Sequence, residues 1–374
     1  DLGAFNEAVS GLNPSTAYHV RAYATNAAGT AYGASQTFTT TGAVQLLGTE
    51  CTSDGQCLSG LCSTDATDAA NRRCVPRELP AAAGGAMQFR YVPPTGPGGY
   101  VQGSGGSPTF TAVISRGMFV ARTELTQGQW QAATGGTNPS YFQNTTCRFS
   151  SCASNENANM GGPVEQVDWW SAAAYANWLS DQAGLARCYT FAPTNWDRDV
   201  VNWADGVGAT PDEGSGEGSG GGGGVGVTGI TWGGRLCEGY RLPTESEWEW
   251  ATRGPVSLGT LTTNFFFGAT VDSAYLWYSS NANSRTQSAS ANRANAYGLR
   301  NTSGNVWEWV WDWDGTYPSG TQNDPVGPTT GTFRIQRGGS WFNDSSFAMS
   351  RIRRSSAPGA RDSGRGFRLV RTFL

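Results

Sequence analysis

Lysine is absent from this chain of 374 residues, so all 25 of its basic side chains are arginine. Without lysine the chain has no Schiff-base chemistry, no phosphate-loop lysine and no lysine isopeptide cross-link. The single histidine, His19, lies near the amino terminus, so residues 43–374 hold no imidazole to act as a general base or metal ligand. Any chemistry in that region must use carboxylates, cysteine, arginine, tyrosine or a metal held by oxygen.

Charge is also scarce. Only 14% of the residues are charged, against roughly 25% in a typical soluble domain. The formal net charge of −4 argues against a nucleic-acid partner. No uninterrupted apolar run reaches the ~18 residues of a membrane-spanning helix, so the sequence predicts no membrane span. The length predicts two or three domains.

The eight cysteines fall into three groups, namely Cys51, Cys57, Cys62 and Cys74, then Cys147 and Cys152, then Cys188 and Cys237. The first group lies in a segment with few apolar residues, which favours a small disulfide-stapled module; a zinc site is the alternative. The second pair flanks a short loop that one disulfide would close. A bridge from Cys188 to Cys237 would fix the ends of a glycine-rich insertion. The even count indicates an oxidising compartment, so we expect a secreted or cell-surface protein.

The residue pattern divides the chain into three regions. Residues 1–42 alternate with a period of two, as β-strands do. Residues 43–86 form the cysteine-rich module and a linker. Residues 87–374 mix short strands, turns and a few helices, which predicts an α+β domain with many loops. The glycine-rich stretch 213–224 is a low-complexity loop without predicted structure.

Within residues 1–42, the stretch from Gly11 to Asn26 resembles the last strands of a fibronectin type III module. The resemblance implies a small partial β-sandwich, since a full module is considerably longer. Two explanations stay open for the missing strands: the sequence is truncated, or a neighbouring chain supplies them by strand pairing.

Helix ends are readable at three places in residues 87–374. The signals are a capping box at Thr126 and Gln129 with Gly135 as the stop, an amphipathic run over about 171–182, and a second capping box at Thr244 and Glu247. The alternating run from Trp307 to Trp313 predicts a strand with at least two of its four tryptophans in the core.

Six longer phrases occur in a fixed order: GPVEQVDW (162–169), YRLPTESEWEWA (240–251), AYGL (296–299), GNVWEW (304–309), RGGSW (337–341) and GFRLV (366–370). This set resembles the formylglycine-generating-enzyme-like, or sulfatase-modifying factor, family. The resemblance covers roughly residues 87–374 and implies a variant of the C-type lectin-like fold. The family contains copper oxidases that make formylglycine, iron-dependent sulfoxide synthases and non-catalytic ligand binders, so the fold alone does not fix the activity.

The catalytic residues of both enzyme classes lack counterparts here. The oxidases hold Cu(I) with two cysteines just after the Gly-Gly-Ser-aromatic motif, and the matching positions are Asn343 and Ala348. Neither side chain binds copper as a thiolate does. The sulfoxide synthases need histidine ligands for iron, which residues 43–374 do not contain. We therefore expect no copper, no iron and no catalytic residues.

Carboxylates were the remaining candidates for catalysis. The relevant side chains are Glu245, Glu247 and Glu249 on one predicted helix, with Asp312 and Asp314 after Glu308. One alternative is an acid–base pair, which requires a suitable separation. The other is a structural role as caps, as surface groups or in buried pairs with Arg241 or Arg253.

Calcium is the cofactor that the resemblance implies. The family builds a hard-cation site on an Asn-x-x-Gly-Asn-x-x-Glu motif, which maps here to Asn301, Gly304, the backbone oxygen of Val306, and Glu308. Oxygen donors in a tight turn suit Ca²⁺. The alternative is that Asn301 and Glu308 only hydrogen-bond the turn.

The carboxy-terminal segment 334–374 carries nine arginines and two acidic residues. In the family this segment lines the ligand pocket, and arginines there would bind carboxylate, sulfate or phosphate; pairing with acids elsewhere is the alternative. The candidate recognition residues are Trp341, Phe342, Asn343, Asp344, Arg351 and Arg353.

These observations favour a secreted or surface protein that binds a ligand or forms part of an assembly, without catalysing a reaction. One form is a subunit of an extracellular filament or assembly joined through the incomplete fibronectin strands, and the other is an adhesin-like ligand binder. The expected partners are further copies of itself, another extracellular protein or a glycan. The alternative function is an oxidoreductase of the formylglycine-generating type with a replaced active site.

Overall fold

The computed structural model describes residues 17–21, 23–26, 29–39, 62–65, 68–74, 87–103, 109–143, 159–194, 196–205, 229–254 and 265–372. The chain divides into two units, residues 1–77 and 78–374. Among the described residues, no helix combines the length and the apolar character that crossing a membrane requires.

The first unit consists of antiparallel strand pairs. Its strands are β1 (Ala17–Val20), β2 (Tyr23–Asn26), β3 (Gly29–Tyr32), β4 (Gln36–Thr39), β5 (Cys62–Asp65) and β6 (Asp68–Cys74). β1 pairs with β4, and β2 pairs with β3, both antiparallel. The strands agree with the period-two pattern, while the likeness to a fibronectin module stays a prediction. β5 pairs with β6 and sets Cys62 opposite Cys74, but Cys51 and Cys57 lie outside the described residues.

In the described part of the second unit most elements are short strands, with three α-helices among them, in agreement with the α+β expectation. Its strands are β7 (Phe89–Val92), β8 (Tyr100–Gln102), β9 (Phe110–Val113), β10 (Met118–Ala121), β11 (Tyr189–Ala192), β12 (Gly229–Trp232), β13 (Trp307–Trp313), β14 (Thr321–Asn323), β15 (Arg334–Arg337), β16 (Arg353–Ser356), β17 (Arg365–Phe367) and β18 (Val370–Thr372). They form sheets ordered β18–β10–β7, β14–β9–β8, β11–β12 and β16–β15–β13–β17. In the last of these, β13 runs parallel to β17 and antiparallel to β15.

Local capping chemistry places the helices. α1 (Gln127–Thr134) begins after the predicted capping box at Thr126 and ends at Gly135, whose φ of 69° is the left-handed conformation that favours glycine. α2 (Trp169–Gln182) begins earlier than expected because Asp168 caps it and accepts a 2.8 Å hydrogen bond from the Ser171 amide. α3 (Glu245–Arg253) begins after the capping box at Thr244.

β13 carries the tryptophan run at the centre of the four-stranded sheet. Trp307 and Trp309 are completely buried, which confirms the prediction of at least two core tryptophans. Their indole N–H groups are satisfied: Trp307 donates to the Asn343 side chain at 2.7 Å and Trp309 donates to the Val167 carbonyl at 3.0 Å. Burying such rings with paired N–H groups gives apolar contact without an unsatisfied donor.

Helix α3 is buried along its whole length although it carries three glutamates. Glu247 pairs with Arg241 at 2.7 Å, and Glu249 pairs with Arg253, so the structural alternative is confirmed for these two side chains. Glu245 pairs with Arg337 of β15 at 2.8 Å. Burial opposes the ionisation of Glu247, but Arg241 and Arg235 outweigh burial and lower its pKa to about 2.

The disulfide Cys188–Cys237 forms as predicted, with 5.4 Å between the Cα atoms. It adjoins the β11–β12 pair, and the Cys188 carbonyl accepts a hydrogen bond from the Gly233 amide at 2.9 Å. Cys147, Cys152 and the glycine-rich stretch 213–224 lie outside the described residues.

Candidate functional site

Asn343 and Ala348, at the positions that correspond to copper-binding cysteines, both make contacts within the fold. Asn343 Oδ1 accepts hydrogen bonds from Trp307 Nε1 at 2.7 Å and from Ser340 Oγ at 2.6 Å. Ala348 is buried, and its carbonyl accepts a 3.1 Å hydrogen bond from Ser303 Oγ. Both residues therefore stabilise the turn after the Arg-Gly-Gly-Ser-Trp motif.

Three aromatic residues lie in and just after this turn, and we call them the aromatic patch: Trp341, Phe342 and Phe347. Phe342 and Phe347 are 39% and 45% exposed. Trp341 packs edge-to-face against Phe342 and Phe142, each at 5.2 Å between ring centroids. Large exposed aromatics grouped in this way are typical of interaction surfaces.

Asp344 has a local role at the edge of the aromatic patch. Its carboxylate caps the short 3₁₀ turn Ser345–Ala348 and accepts a 2.9 Å hydrogen bond from the Ser346 amide. This hydrogen bonding lowers the pKa of Asp344.

The predicted recognition arginines do not all face the patch. Arg353 lies 3.2 Å from Glu245 and 3.5 Å from Asp314, and donates to the Gly315 carbonyl at 2.8 Å. Its neighbour Arg354 lies on the side of the patch, with its guanidinium 6.0 Å from the Trp307 ring centroid. Arg353 and Arg354 are consecutive in β16, so their side chains point to opposite faces.

Arg351 is half-buried and precedes β16. Arg353 lies at Glu245 and Asp314, while Arg354 lies near Trp307 on the other face of β16. The predicted recognition residues therefore do not form one surface. Sequence reasoning missed Arg354, although the alternation of a strand was a signal for it.

A buried glutamate supports the patch from behind. Glu165 Oε1 accepts a 2.7 Å hydrogen bond from the amide of Phe142, the ring of which packs on Trp341. Its second oxygen, Oε2, is buried and has no hydrogen-bond partner among the described residues. Burial raises the pKa of Glu165 to about 8. The phrase GPVEQVDW contains Glu165, but no feature of the sequence identified its partner.

The residues expected to hold calcium lie together in one buried turn. Asn301 is left-handed, with φ 53°, and its Nδ2 donates to Glu124 Oε2 at 2.9 Å and to the Ala289 carbonyl at 3.1 Å. Gly304 is also left-handed, and a β-carbon there would overlap the Trp277 backbone. Val306 is fully buried.

Glu308, the fourth predicted ligand, is engaged on both carboxylate oxygens. Arg368 donates to it twice, from Nε at 2.6 Å and from Nη2 at 2.5 Å, and Trp248 Nε1 donates at 2.7 Å. A calcium ion bound by Glu308 would share the carboxylate with this guanidinium. The donor chemistry nevertheless fits calcium at Asn301, because Asn301 Oδ1 is buried without a hydrogen-bond partner among the described residues.

Sequence reasoning missed Glu124, which adjoins this turn. Its carboxylate accepts hydrogen bonds from the side-chain amides of both Asn301 and Asn305, the second at 3.1 Å. Burial raises the pKa of Glu124 to about 8. Within the described ranges, this turn included, no group of three histidine, cysteine, aspartate or glutamate side chains suited to a metal occurs.

A family model described as the sulfatase-modifying factor enzyme 1-like domain matches residues 80–373. The chain belongs to this family. "Chaperone protein LppX" of Paenibacillus barcinonensis is 28% identical over 245 residues, which cover 60% of the chain and 69% of that protein. The formylglycine-generating enzyme of Thermomonospora curvata is 30% identical over 207 residues, or 50% of the chain and 58% of the enzyme. The family thus includes enzymes, and the chain spans little more than half of this one.

Among solved structures, Treponema denticola variable protein 1 is similar over 79% of this chain and 99% of its own, with a TM-score of 0.62 and 27% identity. A second structure, CarF, matches at a TM-score of 0.51 and 22% identity, which supports the fold alone. These matches confirm the family resemblance and the fold that the ordered motifs predicted.

The raised pKa of Glu165 predicts a pH-dependent stability. In the unfolded chain this carboxyl titrates near its ordinary value of 4.5, and in the folded protein near 8. Its contribution to the free energy of unfolding is therefore complete below about pH 4.5 and is lost as the pH rises through 8. In Glu165→Gln this loss disappears. Between pH 5 and pH 8.5 the free energy of unfolding, measured with urea, should therefore fall more for the wild type than for the variant, by on the order of a few kcal/mol.

Glu238→Gln serves as the control, because Glu238 is exposed. It should leave the pH dependence of the free energy of unfolding unchanged. Parallel pH profiles for wild type and Glu165→Gln would contradict the assignment of a buried, protonated carboxyl.

Proposed function

We propose that this protein acts at the cell surface or outside the cell as a binding protein, and that its sulfatase-modifying factor domain catalyses no oxidation. The observation that carries the proposal is the hydrogen bonding of Asn343, which stands where the copper oxidases of the family have a cysteine. Its Oδ1 accepts two hydrogen bonds from within the fold. The second position is the buried Ala348. A Cu(I) site needs soft thiolate ligands, which an amide and a methyl group do not supply.

The aromatic patch supports a binding role. Phe342 and Phe347 expose large rings while Trp341 behind them is held by a 2.9 Å hydrogen bond from its Nε1 to the Ser363 carbonyl. A fixed anchor with exposed rings loses little side-chain entropy on contact with a partner. Arg354 adds a cationic group on the same side. A protein surface or the apolar face of a sugar ring is the partner that this chemistry favours.

The Cys188–Cys237 disulfide supports the location, because disulfides persist in oxidising compartments. The named relatives support functional variety, since they include a chaperone and a variable protein beside the formylglycine-generating enzymes.

The catalytic half of the proposal is tested with copper and oxygen. After incubation with Cu(I) under reducing conditions and desalting, the wild-type protein should retain no stoichiometric copper and consume no oxygen with a cysteine-containing sulfatase peptide. The double variant Asn343→Cys, Ala348→Cys restores two thiolates and should retain copper if the turn keeps its shape. Oxygen uptake by the wild type at a rate above its copper-free form would favour the oxidoreductase alternative.

Assembly through residues 17–39 is a second candidate function, favoured by a separate observation. Tyr23 on β2 and Tyr32 on β3 are cross-strand partners whose tilted rings lie 6.0 Å apart between centroids, and both are exposed. Arg21 covers the Tyr32 ring at 4.0 Å. Exposed aromatic rings on a two-stranded ribbon are typical of a surface that a further strand or another molecule covers.

Sedimentation velocity of the full chain distinguishes the two surfaces. We expect concentration-dependent self-association, and we expect Tyr23→Ser, Tyr32→Ser to abolish it. The matched double variant Phe342→Ser, Phe347→Ser should leave self-association intact while removing binding at the aromatic patch. A wild-type protein that stays monomeric up to about 100 μM would contradict the assembly function. A Kd of this size corresponds to a binding free energy of roughly −5.5 kcal/mol.

We also propose that the Asn301 turn binds calcium. Asn301 and the backbone oxygens of Gly304 and Val306 would hold the ion, with Glu308 shared with Arg368. Calcium would neutralise acidic charge and hold the turn, without taking part in chemistry. Its support is the partnerless buried oxygen of Asn301.

Thermal unfolding in EDTA and in calcium tests this site. Calcium at about 100 times its Kd should stabilise the protein by roughly 2.7 kcal/mol, and the Tm should rise accordingly. Asn301→Ala should remove the calcium-dependent part of the Tm, whereas Asn281→Ala, at an amide outside this turn, should keep it. Equal Tm values in EDTA and calcium would exclude the site.

A further inference from the structure

A cavity of about 390 Å³ lies beside the carboxyl-terminal end of β13, away from the aromatic patch. It is bounded by the beginning of α3, the strands β8 and β9, and the loop 315–328. Its volume falls within the ~300–1,000 Å³ range of small-molecule sites. Aromatic and aliphatic walls come from Phe110, Trp313, Tyr317 and Val326, and the polar floor from Glu245 and Asp312.

Asp312 is the distinctive group of this floor. Its side chain is only 3% exposed. One oxygen, Oδ2, accepts a 2.7 Å hydrogen bond from the amide of Glu245 at the beginning of α3. No hydrogen bond reaches the other oxygen, Oδ1, from any of the described residues. The buried carboxylate thus presents a partnerless acceptor at the cavity.

The neighbouring carboxylates differ from Asp312 because each pairs directly with arginine. The pairs are Glu245 with Arg337 and Arg353, Glu247 with Arg235 and Arg241, Glu249 with Arg253 and Arg337, Asp314 with Arg353, and Asp324 with Arg235. Asp312 has no direct ion pair of this kind within the described part of the chain. A buried carboxylate without a cation is costly unless it is protonated or receives a positive partner.

We propose that this cavity binds a small organic cation, an alkylammonium or guanidinium group, whose charge pairs with the Asp312 carboxylate while its carbon chain contacts the apolar walls. Glu245 is not a second site for this charge, because its carboxylate is already paired with Arg337 and Arg353. The rings of Tyr317 and Trp313 already carry the guanidinium groups of Arg353 and Arg334, at 4.5 Å and 3.5 Å from the ring centroids, so they serve as apolar walls. The site is separate from the Asn301 turn and from the aromatic patch.

The backbone leaves the space that this ligand needs. Gly327 has φ +72°, and a β-carbon at this residue would lie 3.0 Å from Asp312 Oδ1. A side chain at Gly327 would therefore occupy the approach to the free oxygen. Glycine supplies both the left-handed conformation and the room beside the carboxylate.

The ionisation of Asp312 supports the same conclusion. Burial raises its pKa to about 8, and the carboxylates of Glu245 and Glu247 add to this effect, while Arg353 opposes it. Arg334, which stacks on Trp313 at 3.5 Å, also acts on Asp312 electrostatically, without a direct ion pair. At neutral pH the carboxyl is therefore mostly protonated, and a cation that binds must displace this proton.

Calorimetric titration of the full chain tests the proposal. The probe is n-butylammonium chloride, with n-butanol as the neutral counterpart and methyl α-D-glucopyranoside as a sugar. We expect butylammonium to bind at least 10-fold more tightly than either neutral compound. In buffers of different ionisation enthalpy, binding at pH 7 should release close to one proton. Below pH 8 the affinity should fall about 10-fold for each pH unit, because protons compete for the carboxylate.

Matched variants locate the site. Asp312→Asn retains an oxygen for the Glu245 amide and removes the charge, so it should weaken butylammonium binding at least 10-fold and abolish proton release. Asp314→Asn changes an exposed carboxylate of the same strand end and should keep both. Equal affinity of butylammonium and butanol, binding without proton release, or full binding by Asp312→Asn would each overturn the proposal. The first two results need only the wild-type protein, so they decide even where Asp312→Asn does not fold.

Discussion

Buried pairing between arginine and glutamate is the interaction on which this domain depends. The three glutamates of α3 are buried, and each meets an arginine from a different part of the chain: Arg241 before the helix, Arg253 at its end and Arg337 on β15. Arg368, between β17 and β18, pairs with Glu308 of β13 in the same way. Such pairs add little net stability compared with apolar packing, but breaking one leaves a buried charge that costs ~3–5 kcal/mol. They therefore specify which strand lies against the helix.

The absence of lysine is consistent with this arrangement. A guanidinium presents several N–H groups in a fixed plane and stays charged when buried, whereas a buried ammonium readily loses its proton. Arg368 shows the advantage, because it chelates Glu308 and at the same time donates to the Arg300 carbonyl at 2.9 Å. Arg334 uses its flat face as well, packing between Trp169 at 3.7 Å and Trp313.

Local features of the sequence predicted local structure well. The capping boxes at Thr126 and Thr244, the stop at Gly135 and the tryptophan strand were all expected, because each depends on residues a few positions apart. Buried pairing of the α3 carboxylates with Arg241 or Arg253 was one of the alternatives that the sequence left open. The ordered motifs also predicted the family and its fold correctly.

Features that depend on distant contacts were not predictable. Glu165 accepts a hydrogen bond from the Phe142 amide, 23 residues earlier in the sequence, and Asp312 lines a cavity together with Gly327. Arg353 was placed with the recognition surface because the strand boundary was unknown, and its actual partners, Glu245 and Asp314, lie far away in the sequence. A pattern identifies which side chains share a face, but the partner of that face is set by the tertiary fold.

Positions that the family uses to bind metals hold side chains with other contacts in this chain. The Arg-Gly-Gly-Ser-Trp turn keeps its position beside β13, but its amide and methyl side chains take part in hydrogen bonding and packing. Likewise the Asn301 turn keeps its left-handed backbone, while Glu308 is bound by an arginine. Binding proteins evolve readily on such a frame, since recognition depends on exposed loops positioned by a rigid support.

The disulfide between Cys188 and Cys237 affects how the sequence and length of the segment between its two cysteines can vary. The disulfide and the antiparallel pair β11–β12 hold the chain on both sides of residues 193–228. The entropy of closing a loop grows only with the logarithm of its length, so doubling this segment would cost only ~0.6 kcal/mol. This segment nevertheless contributes to the core at residues 196–205, because Trp203 is completely buried and packs edge-to-face against Trp130. A change of length or sequence between the two strands must therefore spare these residues if the tryptophan core is to stay undisturbed.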